Sequence, residues 1–209
     1  MPPLGTVESL WRYPVKSLAG ERLQETEIAR DGIPDDRERA LFVESGHARV
    51  GKTYRGKEHN LLHTTADPET AAQFAAASGV TTELRSGTHY FDLAPISLLF
   101  DRWVDEVVAG LGRPLDFRRW RPNIFARASQ SFQEADLVGM TIETGSVLLH
   151  VRCPDERCVT TTYDVETGDA DPDVLRFVAQ QRANVMGVYC DVELAGVVRA
   201  GDALRLRAR

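Results

Sequence analysis

Cysteine is scarce in this sequence, and the three that occur, Cys153, Cys158 and Cys190, are an odd number. Three cysteines are too few for a disulfide framework, and free thiols are typical of reducing compartments. The sequence also has no apolar run near the roughly 18 residues that span a bilayer, and its N-terminus lacks a basic segment followed by an apolar one. We therefore expect a cytoplasmic protein with free thiols, no membrane association and no signal peptide.

An excess of positive charge is missing as well. Lys and Arg number 25 against 31 Asp and Glu, so the net charge is −6, and the isoelectric point is about 5.4. A net acidic chain is not expected to bind nucleic acid non-specifically. The sequence also has no glycine-rich nucleotide-binding motif and no GxSxG motif. These gaps argue against the commonest nucleotide-binding and serine hydrolase classes.

Short β-rich runs separated by turn residues make up most of the chain. This pattern predicts a mostly β, α+β fold, a barrel or sandwich with a few helices added. The 209 residues suffice for one large domain or two small ones. A division into residues 1–94 and 95–209, sharing one core and one site, is our expectation. The predicted strands are 4–12, 23–28, 39–43, 115–119, 123–127, 147–152, 158–162, 189–194 and 203–206, with a hairpin of 82–85 and 89–92 around the turn 86–88.

Three helices are also predicted. Asp67 is a candidate N-cap, Pro68 suits the first helical position and Gly79 suits the end. A second helix is expected from about residue 95 to 110, because apolar residues recur there every three to four positions. A third is expected over residues 172–181.

The segment 152–162 is the strongest candidate for chemistry. It carries Cys153 and Cys158, and Arg157 directly precedes the second thiol. A nearby cation favours a thiolate, which is both a nucleophile and a soft metal ligand. The histidines do not cluster at zinc spacing, and a redox disulfide more often uses C-x-x-C. A single reactive thiolate at Cys158 fits these residues better, although two ordinary thiols remain an alternative.

Two cationic segments suit an anionic ligand. Lys16 and Ser17 follow Tyr13-Pro14 at the end of the first predicted strand, where a lysine and a hydroxyl suit an anionic oxygen. Arg121 and Asn123 share one face if their segment is extended, as a residue before proline prefers. An arginine fork and an amide suit a phosphate or a pterin edge. A surface turn and a solvated basic strand are the alternatives.

Three other features are less specific. The segment 51–59 has two glycines, two lysines and an arginine, which is a loop composition, and we predict that it borders a pocket mouth. The charged run 35–39, which contains Arg37, is expected to be an exposed loop. Tyr189 is expected in the core.

In their order along the chain, these motifs resemble the MOSC family, the molybdenum-cofactor-binding domain named after the C-terminal part of molybdenum cofactor sulfurase. The resemblance spans nearly the whole chain and is strongest to the amidoxime-reducing branch. The segments that carry it are Tyr13-Pro14-Val15-Lys16-Ser17, Asp36-Arg37, Ala94-Pro95-Ile96-Ser97-Leu98-Leu99, Arg119-Trp120-Arg121-Pro122-Asn123-Ile124, Arg157-Cys158-Val159-Thr160-Thr161, Gly187-Val188-Tyr189 and Gly201-Asp202.

The resemblance implies a MOSC-type β-barrel with an N-terminal β-barrel-like region, and a molybdenum–molybdopterin cofactor. It implies that Cys158 is the catalytic thiol and the ligand of the metal. It implies two-electron reduction of an N-hydroxylated small molecule, with electrons from a separate donor protein because no iron–sulfur domain is recognised in the sequence. The residues that it places around the pterin and its phosphate are Lys16, Ser17, Arg37, Arg121, Asn123, Arg157 and Tyr189.

Two other functions remain open. Cys158 could hold a persulfide or deliver the cofactor without turnover, which would make the protein a sulfur or cofactor carrier. A ligand-binding barrel that has lost the chemistry is the third reading. Metal and pterin analysis separates the three.

Overall fold

The computed structural model describes residues 3–87 and 89–207. Within these ranges the chain forms twelve strands. They are β1 (Gly5–Arg12), β2 (Glu21–Leu23), β3 (Glu25–Ile28), β4 (Arg39–Ser45), β5 (Thr81–Ser86), β6 (Ile96–Phe100), β7 (Ile124–Ala128), β8 (Thr141–Thr144), β9 (Val147–Glu156), β10 (Val185–Leu194), β11 (Gly196–Arg199) and β12 (Ala203–Leu206).

Seven of these strands form a closed barrel, which confirms the predicted mostly β, α+β fold. The order is β12-β8-β9-β10-β6-β7-β1, and β12 pairs back with β1 through Gly5 opposite Leu204. All neighbours are antiparallel except β6 and β7. Closure leaves these strands without free edges. Outside the ring, β2 pairs with β1, β3 with β11, and β4 with β5.

The first of the described helices packs against β5, outside the ring, and the other three pack against barrel strands. Asp67 caps the first, because its carboxylate accepts hydrogen bonds from the backbone N–H groups of Glu69 and Thr70, as predicted. The last helix matches its predicted range of 172–181. The helices are α1 (Pro68–Ala77), α2 (Asp101–Leu111), α3 (Glu134–Leu137) and α4 (Pro172–Gln181), with short 3-10 helices over Asn60–Thr64, Phe117–Trp120 and Val159–Thr162.

The predicted helix from about 95 to 110 was wrong in its first part. Residues 96–100 form β6, which lies between β10 and β7 and has all five residues buried. A strand buried on both faces reads as a continuous apolar run, and such a run cannot be told from a buried helix by periodicity. The helix α2 begins only at Asp101 and buries Trp103, Val104 and Val107.

Three other local predictions were wrong. The segment 115–119 was expected to be a strand but lies mostly in a 3-10 helix, whose first turn Asp116 caps at the N–H of Arg118. The segment 158–162 is also a 3-10 turn, because the hydroxyls of Thr161 and Thr162 bond to carbonyls three residues back. The hairpin of 82–85 with 89–92 does not form, since β5 pairs with β4; Thr88 of its turn lies outside the described residues.

Two hydrophobic clusters fill the molecule. The larger is the barrel core, which joins Leu4 and, from β1, Val7 and Leu10 to residues of the C-terminal half. The smaller contains Val15, Leu18 and side chains of β4 and α1. The division into 1–94 and 95–209 stays a prediction. No helix in the described parts of the chain is both long and apolar enough to cross a membrane.

Candidate functional site

A pocket of about 250 Å³ collects residues from distant parts of the chain. Its lining contains seven cationic side chains against three carboxylates, Asp92, Asp155 and Glu156, although the whole chain carries a net charge of −6. Such a concentration of positive charge favours an anionic ligand. The seven cationic residues are Lys16, Arg37, Arg55, Lys57, Arg119, Arg121 and Arg157.

Most of the residues predicted for the site lie in this pocket. Seven of the eight contribute to its lining: Lys16, Ser17, Arg37, Arg121, Arg157, Cys158 and Tyr189. The eighth, Asn123, is buried behind the lining and acts as a brace. Its amide oxygen accepts hydrogen bonds from the Ser97 N–H at 3.1 Å and from Arg37 Nη1 at 3.3 Å.

The segment around Arg37 is not the exposed charged loop that its composition predicts. Asp36 is 2% exposed and accepts hydrogen bonds from the Tyr13 N–H at 2.7 Å and from Arg37 Nη1 at 2.5 Å. Arg37 Nη2 donates to the Arg121 carbonyl at 3.2 Å. Burial acts to lower the pKa of Arg37, but Asp36 and Tyr13 outweigh it and the pKa is raised. Arg37 is therefore a fixed positive charge.

Arg121 has a guanidinium nitrogen to spare. Its guanidinium lies 4.2 Å from the centre of the Tyr13 ring, and its Nη1 donates to the Leu18 carbonyl at 2.5 Å. Its Nη2 is buried and has no hydrogen-bond partner in the described residues. Burial lowers the pKa of Arg121 to about 10. A buried donor without a partner is costly, so this nitrogen is available to an anionic ligand.

The backbone of the lining is held in an uncommon conformation. Ser17, Arg37 and Arg121 all have positive φ, at 72°, 53° and 55°. For residues with a side chain this region costs about 1–2 kcal/mol, and such strain gathers at functional sites. Arg121 was expected to be extended because Pro122 follows it. It is left-handed instead, and Arg121 lines the pocket while Asn123 is buried behind the lining.

Cys158 is the accessible thiol of the pocket. It is exposed, whereas Cys153 is partly buried and Cys190 is buried. Cys158 occupies the residue just before the 3-10 turn Val159–Thr162, and its sulfur lies 3.2 Å from the Thr160 hydroxyl. Arg119 holds this turn from behind, because its Nη1 donates to the Thr161 carbonyl at 3.0 Å. Burial raises the pKa of both other thiols, which makes them poor thiolates.

Arg157 does not serve Cys158 in the way its position in the sequence suggests. Its guanidinium forms an ion pair with Asp155 at 2.6 Å and donates to the carbonyls of Met186 and Trp120, each at 2.9 Å. Neighbouring side chains on an extended segment point to opposite sides, which accounts for this. Arg157 therefore anchors the chain just before the thiol.

The sequence did not identify two buried ionisable residues of the lining. Asp155 is 1% exposed, and burial raises its pKa to about 6, against the opposing effect of Arg157. His63 is 6% exposed, and burial together with the charge of Arg121 lowers its pKa to about 3, so it is neutral. Asp155 lies in the segment 152–162, but its burial and the place of His63 beside Arg121 depend on the fold and could not be read from the sequence.

The mouth of the pocket includes parts of two loops. Lys16 donates to the Tyr90 carbonyl at 2.7 Å and pairs with Asp92 at 2.6 Å. From the segment 51–59, Arg55 and Lys57 reach the lining, as predicted for a loop at the mouth. Arg55 pairs with Glu58 at 2.5 Å. Its charge is thus partly neutralised, while Lys57 is exposed.

The donor set fits a metal that arrives with other ligands. Among residues 3–87 and 89–207, no three His, Cys, Asp or Glu side chains come together as a metal site. One exposed thiol beside several fixed cations matches the molybdenum–molybdopterin group, whose phosphate needs cations and whose metal needs a soft ligand. The unpartnered nitrogen of Arg121 is consistent with such an anion.

Curated relatives resemble part of this chain. Mitochondrial amidoxime-reducing component 1 of Xenopus laevis is 29% identical over 126 residues, which are 54% of this chain and 36% of the relative. Mitochondrial amidoxime reducing component 2 of Homo sapiens is 25% identical over 126 residues, 54% of this chain and 37% of the relative. The aligned region is thus little more than a third of these relatives.

Solved structures share the fold at low sequence identity. The YUAD protein from Bacillus subtilis superposes with a TM-score of 0.60 at 18% identity, covering 96% of this chain and 93% of the other. YiiM from Escherichia coli gives a TM-score of 0.52 at 12% identity, covering 100% of this chain and 71% of the other. These likenesses concern the fold alone.

Two family models match the chain almost end to end. The model of the MOSC N-terminal beta barrel domain matches residues 4–85, and the model of the MOSC domain matches residues 85–205. The chain therefore belongs to the MOSC domain family.

Proposed function

We propose that this protein binds the molybdenum cofactor, with Cys158 as the protein ligand of the metal, and reduces N-hydroxylated compounds with electrons from a separate donor protein. The observation that carries the proposal is the pocket itself, in which one exposed thiol lies among seven cationic side chains of an acidic chain. The names of the relatives, which are amidoxime-reducing components, support the choice of substrate class. A cytoplasmic location belongs to the same proposal, because free thiols are typical of reducing compartments.

The residues of the pocket have distinct parts in this proposal. Lys16, Ser17, Arg37 and Arg121 would bind the phosphate and the pterin, with the geometry of Arg37 fixed by Asp36 and Asn123. Preformed cations of this kind orient an anion without further reorganisation. Tyr189 contributes a hydroxyl to the same wall. When bound, the cofactor would supply the two-electron redox chemistry, while the protein supplies binding and orientation.

Arg157 and Arg119 are positioning residues in this scheme. Arg119 donates to the carbonyl of Thr161 in the 3-10 turn that follows Cys158. Arg157, the residue before Cys158, is anchored by its own bonds to the carbonyls of Met186 and Trp120. Both guanidiniums donate to main-chain carbonyls, and Arg157 also pairs with Asp155. They would hold the thiol in one place, as partners of metal ligands usually do.

A carrier function is the second candidate, and one observation favours it. Cys158 is exposed, and within the described residues its sulfur has one hydrogen-bond partner, the hydroxyl of Thr160. An accessible sulfur suits a persulfide that is handed on, or a cofactor that is delivered without turnover. Stoichiometric molybdenum with pterin would support the enzyme, whereas persulfide without metal would support the carrier.

The test is a pair of matched cysteine variants, with molybdenum and pterin measured per chain and the reduction of an amidoxime assayed. We expect Cys158→Ser to lower bound molybdenum or activity by more than about tenfold, because a hydroxyl is a harder and much less acidic ligand than a thiol. Cys153→Ser is the control and should have a much smaller effect. Because Cys158 is exposed, the unfolding midpoint should change little. Reversed effects of the two variants would contradict the assignment of the ligand.

A further inference from the structure

Asp155 is a buried carboxylic acid of the pocket to which the proposed function has given no part. It lies in β9, one residue before the end of the strand, is 1% exposed and belongs to the pocket lining. Its Oδ2 is 2.6 Å from Arg157 Nη2 and accepts a hydrogen bond from the Ser97 hydroxyl at 3.2 Å. Its Oδ1 is buried and has no hydrogen-bond partner in the described residues.

The two oxygens of this carboxyl group are therefore not equivalent. Oδ2 accepts from two donors, and it can do so whether the carboxyl group is ionised or neutral. Oδ1 has none, and a buried carboxylate oxygen without a donor is costly. A proton on Oδ1 removes that cost and leaves the contacts of Oδ2 intact. The geometry thus marks Oδ1 as the place where a proton can be held.

The surroundings allow this proton to come and go at ordinary pH. Burial raises the pKa of Asp155 to about 6, while the charge of Arg157, the hydrogen bond from Ser97 and the nearby hydroxyl of Tyr189 oppose the rise. The groups that face Asp155 come from four parts of the fold: Arg157 after β9, Ser97 in β6, Tyr189 in β10, and the cation of Arg37 before β4. Burial raises the pKa of Tyr189 as well, so its hydroxyl keeps its proton.

We propose that Asp155 is the proton donor of this pocket and delivers the proton on Oδ1 to the oxygen that leaves an N-hydroxylated ligand. The inference rests on the proposed reductase function. Reduction of an N–OH group breaks the N–O bond, takes two electrons from the separate donor protein and takes two protons. One proton joins the departing hydroxyl to form water, and the other ends on nitrogen. Asp155 supplies the first, and solvent then restores its proton.

The decisive variant is Asp155→Asn, which keeps the shape of the side chain and an oxygen for Arg157 but cannot deliver a proton. Loss of a general acid typically costs 10²–10⁴-fold, so we expect kcat for amidoxime reduction to fall by about 10²-fold or more. Bound molybdenum and pterin should stay at the wild-type level. The wild-type rate should fall as pH rises through about 6, because the acid must be protonated, and the residual rate of Asp155→Asn should lack this step.

Asp191→Asn is the matched control. Asp191 lies on the strand paired with β9 and also forms an ion pair with an arginine, Arg152, at 2.5 Å, but it does not line the pocket. The same chemical change there should leave the pH profile as it is in the wild type. A change in the control as large as in Asp155→Asn would overturn the inference, since any lost ion pair would then suffice.

Loss of the Asp155 charge leaves the buried Arg157 without its partner, which can prevent folding. A second variant tests the inference if Asp155→Asn does not fold. Ser97→Ala removes a hydrogen bond that favours the ionised carboxylate, so the pKa of Asp155 should rise. The step in the pH profile should therefore move to higher pH while activity is retained below it. A step that stays in place, or moves to lower pH, would overturn the inference.

The outcomes separate this inference from the proposed function. A wild-type protein that holds molybdenum but reduces no N-hydroxylated compound would overturn both. An active wild type with an equally active Asp155→Asn would overturn the proton donor alone. Loss of molybdenum from Asp155→Asn would assign Asp155 to cofactor binding and would also overturn it. Infrared spectroscopy of the cofactor-free protein gives an independent reading, because the carboxylic acid band that titrates near pH 6 should disappear in Asp155→Asn.

Discussion

At the scale of single residues, internal partners restrain most cations of the pocket. Lys16 pairs with Asp92, Arg37 with Asp36, Arg55 with Glu58 and Arg157 with Asp155. A buried ion pair is weak evidence for stability, because desolvation offsets its attraction. The main effect of these ion pairs is to fix the direction in which each guanidinium points. The nitrogen left over on Arg121 and the exposed Lys57 are then the charges most available to a ligand.

Gly56 shows how closely the loop 51–59 approaches the pocket. A Cβ at Gly56 would lie 2.0 Å from Nε2 of the buried His63, so the absence of a side chain lets the two meet. We predict that Gly56→Ala lowers the free energy of unfolding by about 1–3 kcal/mol, the usual cost of overpacking, in urea titrations. The double variant with His63→Ala should recover part of this loss, because the ring that clashes is gone. Strictly additive losses would contradict direct contact between the two residues.

At the scale of elements, much of the site is built from segments that join the strands, while Asp155 and Tyr189 come from β9 and β10 themselves. The turn after β1 brings Lys16 and Ser17, the 3-10 helix Phe117–Trp120 leads into Arg121, and the 3-10 turn Val159–Thr162 begins at Cys158. The backbone of each connection forms hydrogen bonds with another part of the fold, as a donor or as an acceptor. The precision of the site thus depends on residues that never touch a ligand.

Asn184 is such a residue. It has a φ of 65°, its carbonyl accepts from the Arg157 N–H, and its amide Nδ2 donates to the Arg157 carbonyl, both at 2.9 Å. Glycine tolerates this backbone conformation, so Asn184→Gly removes the hydrogen bond from the side-chain amide without adding strain. We predict a loss of about 1 kcal/mol in unfolding free energy and faster alkylation of Cys158 by iodoacetamide, read from the peptide that carries it.

Ala183→Gly is the control for this prediction. Ala183 also has positive φ, at 50°, and relief of that strain should leave stability unchanged or raise it by up to about 1 kcal/mol. The alkylation rate of Cys158 should stay at the wild-type value. If both variants accelerate alkylation equally, the effect belongs to the flexibility of the whole turn and not to the amide of Asn184.

At the scale of the whole molecule, the sequence predicted those features that neighbouring residues along the chain determine, such as helix caps and strand-forming runs. The capped helix after Asp67 and the helix over 172–181 follow from their own residues, and the strand runs predicted a barrel or sandwich. The closure of the barrel joins Gly5 to Leu204, a pairing that no nearby residue specifies. The burial of Asp36 and the meeting of Asp155 with Ser97 depend on the same long-range contacts, and so the sequence alone did not predict them.

Charge distribution over the whole molecule leads to a prediction about the electron donor. The chain is acidic, yet the loop 51–59 presents two exposed lysines, Lys52 and Lys57, and Lys57 lines the pocket. A local cationic surface attracts an acidic redox protein, and this steering weakens as salt screens it. We predict that Lys52→Glu with Lys57→Glu slows reduction by an acidic protein donor about tenfold at low ionic strength. The effect should shrink at high ionic strength.

The ratio of two rates provides the measurement, because Lys57 also lines the pocket and its substitution alters the pocket for both electron donors. Turnover is measured once with the protein donor and once with a small chemical reductant, and only the first should depend on docking. The double variant Arg22→Glu with Arg205→Glu makes the same change in net charge at exposed residues outside the lining, and its ratio should match the wild type. A ratio unchanged in the loop variant at low salt would remove the docking role, and a ratio equally changed in the control would assign the effect to net charge. Only a change confined to the loop variant identifies residues 51–59 as the docking surface.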